Sequence, residues 1–252
     1  MSATVTPIEG GFHVEGYEKI TYDFRITDHI FDTKKNDLAD CYRSWGRCLA
    51  IIDHNVYKLY GDAMETYFAA HNIKCTVKVI QGGELRKTMK TKLDIIDTFA
   101  EFGLVRKEPV LVIGGGVLTD VAGYACASYR RTSNFIRIPT TLIGLIDASV
   151  SIKVGLNHGK LKNRLGAYHA PKITFLDFAF LKTLSEGQIR NGFAELVKIS
   201  TVGEKVVFDL LDKHGEDLIS TRFGYLEGSS EEVREAAKTI NYIGIKKMLE
   251  LE

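Results

Sequence analysis

The sequence predicts an α/β domain followed by a helical domain, and two observations carry this prediction. Short apolar runs alternate with segments of helical period as far as residue 184, and from residue 185 onward only helical periods remain. We therefore assign residues 1–184 to the α/β domain and residues 185–252 to the start of a helical domain. A chain of 252 residues, 45% of them hydrophobic, is long enough to bury the core that this arrangement needs.

The predicted strands are short, rich in β-branched or aromatic residues, and bounded by Gly, Asp, Pro or Thr. They are residues 48–52, 75–80, 109–113, 134–138 and 173–178. Between them, residues 89–103 form a predicted helix with Gly103 as its C-cap. The apolar stripe of that helix carries Leu93, Ile96 and Ala100. Strands that alternate with helices favour a mostly parallel sheet covered on both faces.

Three segments after residue 185 have helical period, namely 186–201, 204–219 and 229–252. Ser229 and Glu232 have the spacing of a capping box at the start of the last one. That helix reaches Glu252 without a C-cap, so we expect the helical domain to be incomplete, and truncated, in this chain.

Composition excludes several classes of protein. A net charge of +1 gives no overall field that would attract nucleic acid or an acidic membrane. The cysteines are too far apart for a zinc ribbon or a disulfide scaffold, which favours a reduced cytoplasmic setting; they are Cys41, Cys48, Cys75 and Cys126. The most apolar window, residues 110–128, contains three glycines and Asp120, so it is not a membrane span. The first residues also lack the pattern of a signal peptide.

Three consecutive glycines, Gly114, Gly115 and Gly116, follow a predicted strand and lead into a predicted helix. Without Cβ atoms the backbone can approach a ligand, and a helix N-terminus offers N–H groups to a phosphate. The pattern is not G-x-G-x-x-G, so a tight turn without a ligand stays open as the alternative. The turn predicts phosphate or dinucleotide binding.

Two further strand ends carry polar side chains. Thr140 and Thr141 can cap the helix predicted after them or bind a nucleotide. Asp53 and Asn55 follow another strand, where a carboxylate can take ribose hydroxyls or form an ordinary Asx turn.

Basic residues gather just beyond these strand ends, at Lys153, Lys160, Lys162 and Arg164, with Asn157, His158 and Asn163 between them. They predict either a site for a phosphorylated substrate or a solvated basic loop. Arg130 and Arg131 follow the helix after the glycines and either join that site or complement the helix dipole.

On the helix that starts at Glu186, the side chains of Asn191, Glu195 and Lys198 fall on one narrow arc. A glutamate presented in this way can bind a metal, with a lysine one turn away for a substrate oxygen. A solvent-exposed face with an i,i+3 ion pair is the alternative.

Six motifs stand in the order and near spacing of one family: "GGELRK", "GGGVLTD", "RIPTTLIGLIDASVSIK", "KLKNRLGAY", "FLKTL" and "NGFAELVK". Over residues 45–252 the chain resembles the 3-dehydroquinate synthases, and most of all the branch of sugar phosphate cyclases that acts on sedoheptulose 7-phosphate. The resemblance implies a Rossmann-like NAD-binding domain, a helical metal-binding domain, bound NAD, a divalent metal (zinc or cobalt) and a homodimer.

The resemblance also implies site residues. For the cofactor they are Asp53, Asn55, Glu84, Lys87, Gly115, Gly116, Asp120, Thr140, Thr141, Asp147 and Thr183. For catalysis and substrate binding they are Lys153, Lys162, Asn163, Lys198, Arg131 and Lys247, with Lys246 as an alternative to the last and Arg131 reaching across a dimer interface. Glu195 corresponds to the first metal ligand.

Two departures from the family pattern bear on function. "SIKV" stands where dehydroquinate synthases usually have Gly-Gly-Lys-Thr, and "NHGKLKNRLGAYHAP" is similar to the sedoheptulose 7-phosphate cyclases. The implied reaction is therefore NAD- and metal-dependent cyclisation with loss of phosphate, giving desmethyl-4-deoxygadusol of the mycosporine-type pathway or 2-epi-5-epi-valiolone. The family's two histidine ligands lie beyond "MLELE", where this sequence ends, so we expect Glu195 to lack its partners here.

Three alternatives stay open at this point. The chain is a dehydroquinate synthase of the shikimate pathway if it consumes that pathway's heptulosonate phosphate. A metal-dependent polyol dehydrogenase of related fold would show net reduction of free NAD. A non-catalytic NAD-binding fragment would bind NAD without metal or turnover.

Overall fold

The computed structural model describes residues 2–251 of the chain. Residues 2–184 form an α/β unit. Its strands are β1 (Ser2–Ile8), β2 (Gly11–Tyr17), β3 (Asp23–Thr27), β4 (Arg47–Asp53), β5 (Lys74–Ile80), β6 (Val110–Gly114), β7 (Phe135–Pro139), β8 (Lys153–His158), β9 (Leu161–Tyr168) and β10 (Ile173–Asp177). Its α-helices are α1 (Asp37–Asp40), α2 (His54–Ala70), α3 (Met89–Phe102) and α4 (Gly116–Ser128). The helices α5 (Glu186–Thr201), α6 (Lys205–Ser220) and α7 (Glu231–Leu251) follow.

Six strands form one parallel sheet in the order β3-β10-β7-β6-β4-β5. The prediction of an α/β chain with a mostly parallel sheet is confirmed, and the five predicted strands are β4, β5, β6, β7 and β10. Strand β3 was not predicted, because most of its side chains are exposed at the edge of the sheet and form no apolar run. The carboxyl ends of β4, β6 and β7 lie side by side, which brings the polar strand ends of the sequence together.

Helices cover both faces of the sheet. In β4, Ala50 and Ile52 pack on one side with Phe68 of α2, while Leu49 and Ile51 pack on the other side with α3 and α4. Successive side chains of β4 point to opposite faces of the sheet, and both faces are buried. The sequence of β4 is therefore a continuous apolar run. A third cluster joins α5, α6 and α7 to the turn that follows β7. The helices therefore pack directly against one of the segments that border the site.

A fully buried arginine fixes that turn. Arg137 of β7 donates to the carbonyls of Ala148, Ser149 and Ser151, and to the hydroxyl of Thr174 over 3.4 Å. Burial lowers the pKa of Arg137 to about 10, and its bonds to carbonyls replace the water it has lost. The path of the chain from β7 to β8 is thereby set from inside the protein.

Several local predictions need correction. Helix α3 buries Lys92, Ile95 and Phe99 and leaves Leu93 51% exposed, because the larger Phe99 side chain, not the predicted stripe, packs on the core. Its C-cap at Gly103 is confirmed, with φ 68° and ψ 43°.

The hydroxyl that caps α7 belongs to Ser230, which accepts from Val233 N–H over 3.3 Å. The hydroxyl of Ser229 instead donates to Leu226 O, so the cap lies one residue later than predicted. The third residue after Ser230 is Val233, which cannot complete a capping box. The helix expected after Thr141 is a single π-type turn, Gly144–Ala148. The basic segment is a two-stranded antiparallel hairpin, β8–β9, rather than a loop.

Within residues 2–251, no helix combines the length and the apolar character that crossing a membrane requires.

Candidate functional site

The carboxyl ends of β4, β6 and β7 border a cavity of about 560 Å³. Every residue assigned to the cofactor by resemblance lines it: Asp53, Asn55, Glu84, Lys87, Gly115, Gly116, Asp120, Thr140, Thr141, Asp147 and Thr183. Asn163, assigned to the substrate, lines it as well. Ligands of parallel α/β sheets bind at this edge, so the position fits the predicted site.

The glycine turn needs its glycines for space. Gly115 is the N-cap of α4 and has an extended backbone (φ −76°, ψ 177°), which any residue can adopt. A Cβ on Gly115 would lie 3.1 Å from Thr141 Cγ2, and one on Gly116 would lie 3.2 Å from Ala148 Cβ. The bare backbone therefore leaves the first N–H groups of α4 open to the cavity, as anion binding at a helix N-terminus requires.

Asp53 combines both roles considered for it. Its Oδ1 caps α2 by accepting from Asn55 N–H at 2.8 Å and Val56 N–H at 3.4 Å. Its Oδ2 faces Gly82, where an added Cβ would overlap with this oxygen. The glycine thus makes room for a carboxylate at the edge of the cavity.

The two roles of Asp53 can be separated by substitution. Asp53→Asn keeps a side-chain oxygen for the cap, so we expect its unfolding free energy to stay within a few tenths of a kcal/mol of wild type, whereas Asp53→Ala should lose about 1 kcal/mol. Both variants should lose about tenfold in NAD affinity if the carboxylate takes ribose hydroxyls. Urea unfolding measures the stability, and calorimetric titration measures the NAD affinity. If Asp53→Asn bound NAD as wild type does, capping of α2 would be the only role left for the Asp53 side chain.

The threonines after β7 also act locally. Thr140 N–H donates to Gly114 O over 3.1 Å, which ties the end of β7 to the glycine turn. Thr141 Oγ1 accepts from Gly144 N–H over 3.1 Å and so caps the π-type turn that carries Asp147. Capping, one of the two predicted roles, is confirmed for Thr141, and both side chains still line the cavity.

A largely buried ion pair, Lys87–Asp120, forms part of the cavity wall. Lys87 Nζ donates to Asp120 Oδ2 over 2.5 Å and to Asn163 Oδ1 over 2.6 Å. Burial raises the pKa of Asp120, and the charges of Lys87 and Arg137 counteract that rise. The pair joins the loop after β5 to helix α4 and to the β8–β9 hairpin.

Sequence reasoning missed part of the cavity wall. Tyr60 OH lies 3.0 Å from Thr183 Oγ1, and the Tyr60 ring packs edge-on against Phe180 with centroids 4.8 Å apart. Tyr60 follows Asp53 by seven residues, two helical turns, so this periodicity was the signal that would have found it. Gln188 was also missed, three residues before Asn191 on α5, and both line the cavity.

The predicted substrate lysines of the hairpin lie outside the cavity wall. Lys162 and Arg164 lie on one face of β9, and Lys153 pairs with Tyr168 of the same face. Asn163, Leu165 and Ala167 alternate with them on the other face, where Leu165 and Ala167 pack on the core. The hairpin thus presents lysines outward and Asn163 inward. Lys162 Nζ is 3.6 Å from Glu84 Oε1.

On α5, Glu195 and Lys198 form an ion pair with 2.6 Å between Oε1 and Nζ. The hydrogen bond and the charge of Glu195 raise the pKa of Lys198. Among residues 2–251, no group of three or more His, Cys, Asp or Glu side chains is arranged to hold a metal ion. Glu195 is therefore placed one turn beyond Asn191 without further ligands from the described part of the chain.

Two more predicted residues, Arg131 and Lys247, do not line the cavity, and neither do Lys153, Lys162, Glu195 and Lys198. Arg131 follows α4 at the end opposite the glycine turn, about 20 Å along the helix axis, with φ 71°. Arg130 donates to Leu104 O over 3.2 Å. Lys247 lies near the α5–α6 connection, with Nζ 3.4 Å from Glu204 Oε1, whereas Lys246 is more exposed.

A second, larger cavity of about 900 Å³ lies between the end of β3 and helix α7. Its lining includes Phe178, Tyr225 and Asn241 and none of the predicted site residues. The smaller cavity is the better candidate, because the glycine turn, the N-terminus of α4 and the polar ends of β4 and β7 all border it.

Comparison with known proteins agrees with the fold and with the motif resemblance. The sequence model for the 3-dehydroquinate synthase N-terminal region matches residues 77–191. The chain is 57% identical over 244 residues to the demethyl-4-deoxygadusol synthase of Trichormus variabilis, covering 97% of this chain and 59% of that protein. A 3-dehydroquinate synthase of Prochlorococcus marinus is 36% identical over 182 residues, covering 71% of this chain and 50% of that protein.

Among solved structures, the 2-epi-5-epi-valiolone synthase of Streptomyces hygroscopicus, with NAD+ and Zn2+ bound, matches with a TM-score of 0.87 and 38% identity. The match covers 94% of this chain and 63% of that one. Sheet topology, glycine turn and helical extension thus define a protein of dehydroquinate synthase-like fold. In sequence the chain is more similar to demethyl-4-deoxygadusol synthase and 2-epi-5-epi-valiolone synthase than to 3-dehydroquinate synthase. It spans about three fifths of the length of the first two of these relatives.

Proposed function

We propose that this chain forms the NAD-binding part, and a portion of the substrate site, of an enzyme that cyclises sedoheptulose 7-phosphate to demethyl-4-deoxygadusol with loss of phosphate. The observation that carries the proposal is the convergence of all the cofactor residues expected by resemblance on one cavity at the carboxyl edge of the sheet. The 57% identity to a demethyl-4-deoxygadusol synthase supports this choice of branch.

The cavity fits NAD by its chemistry. The glycine turn and the N-terminus of α4 supply N–H groups and space for a pyrophosphate, and Asp53 at the neighbouring strand end supplies a carboxylate for ribose hydroxyls. Phe180 and Leu59 give an apolar wall for a base. When bound, NAD supplies a reversible hydride acceptor for a substrate hydroxyl.

The chain's own residues would position the reactants. Lys87 holds the amide of Asn163 at the cavity, where that side chain can orient a substrate hydroxyl. Lys153 and Lys162 share the outward face of the hairpin, outside the cavity wall, so their contact with a phosphate stays a prediction. Holding a flexible sugar phosphate in one conformation lowers the entropic cost of ring closure.

A complete metal centre does not fit the described residues. The solved 2-epi-5-epi-valiolone synthase contains Zn2+ and a solved 2-deoxy-scyllo-inosose synthase contains Co2+. Here Glu195 is the one side chain assigned to a metal, and residues 2–251 contain no cluster of three ligands. A catalytic zinc normally needs three protein ligands, so residues 2–251 alone do not form a catalytic metal centre.

The product tests the proposal. A chimera joins this chain to the part of the Trichormus variabilis enzyme that the chain does not span, and it is incubated with sedoheptulose 7-phosphate, NAD and Zn2+ or Co2+. We expect release of phosphate and demethyl-4-deoxygadusol by mass spectrometry and NMR, and NAD binding without turnover for the chain alone.

Other products identify the alternatives. The TM-score of 0.87 supports 2-epi-5-epi-valiolone as the second candidate product, and NMR distinguishes the two cyclitols. Turnover of the shikimate-pathway heptulosonate phosphate would contradict the chosen branch, and net reduction of free NAD would indicate a polyol dehydrogenase. Homodimer formation, with Arg131 reaching a partner's site, and a cytoplasmic location stay predictions.

A further inference from the structure

One side chain joins the β8–β9 hairpin to the cavity. Asn157 lies at the irregularity in the β8–β9 register between Leu156 and His158. A residue at such a bulge is released from strand pairing and can turn its polar groups elsewhere. The N–H of Asn157 donates to the carbonyl of Lys87 over 2.9 Å, so the hairpin is held against the loop after β5.

The side chain of Asn157 makes two further bonds, both to predicted site residues. Its Nδ2 donates to Glu84 Oε1 over 2.8 Å. Its Oδ1 accepts from the backbone N–H of Asn163 over 2.9 Å. The half-buried side-chain amide of Asn157 thus contacts both Glu84, which is assigned to the cofactor, and Asn163, which is assigned to the substrate.

The second bond fixes an unusual backbone. Asn163 has φ 53°, in the left-handed region that few non-glycine residues occupy. In this conformation its N–H points to Asn157 while its side-chain Oδ1 accepts from Lys87 Nζ over 2.6 Å. Loss of the bond to Asn157 would free the backbone to relax and would turn the Asn163 amide away from the cavity.

We propose that Asn157 is a positioning residue that aims Glu84 and Asn163 at the bound dinucleotide and the substrate. The inference rests on the proposed NAD site. The position requires one donor and one acceptor on a short side chain, which asparagine provides. Aspartate would keep the acceptor for Asn163 but would set a carboxylate against Glu84. In agreement, the hydrogen bond from Asn157 is the main cause that lowers the pKa of Glu84.

Two substitutions separate the two bonds. In the apo chain, we expect Asn157→Ala to speed hydrogen exchange at the Asn163 amide by about tenfold, whereas Asn157→Asp should leave that amide protected because Oδ1 is retained. Both variants should lose about tenfold in NAD affinity by calorimetric titration. His158→Ala, at the exposed neighbouring position, is the matched control and should behave as wild type in both measurements.

A compensating change tests the contact with Glu84 directly. In the double variant Glu84→Gln/Asn157→Asp, the new amide donates to the new carboxylate, so we expect NAD affinity equal to that of Glu84→Gln alone. If Asn157 had only a structural role, the fold losses of NAD affinity in Glu84→Gln and in Asn157→Asp would multiply in the double variant. If Asn157→Ala kept both the hydrogen exchange rate of the Asn163 amide and the NAD affinity at wild-type values, the proposal would be overturned. If the wild-type chain fails to bind NAD, the proposed function fails, and hydrogen exchange at Asn163 still decides the role of Asn157.

Discussion

Lys87→Met is expected to lower the free energy of unfolding by about 3 kcal/mol at neutral pH, the usual cost of removing one partner of a buried ion pair. The Lys87 side chain is 8% exposed and that of Asp120 is 20% exposed, with 2.5 Å between Nζ and Oδ2. The substitution leaves the Asp120 carboxylate charged and poorly solvated in the cavity wall. Urea unfolding measures the loss.

Two comparisons isolate the cause. Lys87→Met/Asp120→Asn removes the unpaired charge as well and should regain most of the lost stability. Lys78→Met breaks an ion pair of similar length, 2.7 Å to Asp94 Oδ1, whose side chains are 31% and 51% exposed. That pair should contribute less than about 1 kcal/mol. Equal losses for Lys87→Met and Lys78→Met would contradict the account of the buried pair.

The loss should also depend on pH in a definite direction. The pKa of Asp120 is already raised by burial, so the folded chain holds this proton more tightly than the unfolded chain does. The contribution of Asp120 to stability is therefore greatest at low pH and is lost as the pH rises through the raised pKa. Removing Lys87 removes a charge that lowers this pKa. The loss of unfolding free energy in Lys87→Met, relative to wild type, should thus be largest at neutral pH and should become smaller as the pH is lowered.

Gly115→Val should reduce NAD affinity on the order of 100-fold, the effect of losing two charge-assisted hydrogen bonds at about 1.5 kcal/mol each. The backbone at Gly115 accepts a side chain, but its Cβ would lie 3.1 Å from Thr141 Cγ2. The added methyl groups would cover the N–H groups that α4 offers to the pyrophosphate. Calorimetric titration with NAD measures the change.

The matched control is Gly187→Val, in the first turn of α5. A Cβ on Gly187 meets no atom within 4 Å, so the control adds the same side chain near another helix start without blocking the cavity. Its NAD affinity should equal that of wild type. A thermal melt shows whether Gly115→Val still folds, and a folded Gly115→Val that binds NAD as wild type does would contradict the role of the glycine turn.

The sequence predicted those elements whose signals are local. Strand β4 is a run of buried residues between Arg47 and Asp53, and its amino acids alone identify it. Edge strand β3 and the hairpin β1–β2 have mostly exposed side chains and carry no comparable signal. The face of α3 was predicted wrongly because two apolar stripes compete on it, and the sheet decides between Leu93 and Phe99.

For the site, the motif resemblance named residues, and the fold explains why they meet. Asp53, Gly115 and Thr140 are far apart in sequence, and adjacent parallel strands bring their ends to one edge. The role of Asn157 was outside the reach of the sequence, because it depends on a bulge and on the path of the loop after β5. Tyr60 and Gln188 likewise become part of the cavity through the packing of α2 and α5.

Hydrogen exchange of the chain with and without NAD tests the central claim most directly. We predict slower exchange at residues 53–56, 82–88, 114–120 and 140–148, the backbone that borders the smaller cavity. Slower exchange at residues 26–29 and 223–242, which line the larger cavity, would place the ligand elsewhere. That result, or no saturable binding of NAD, would contradict the account.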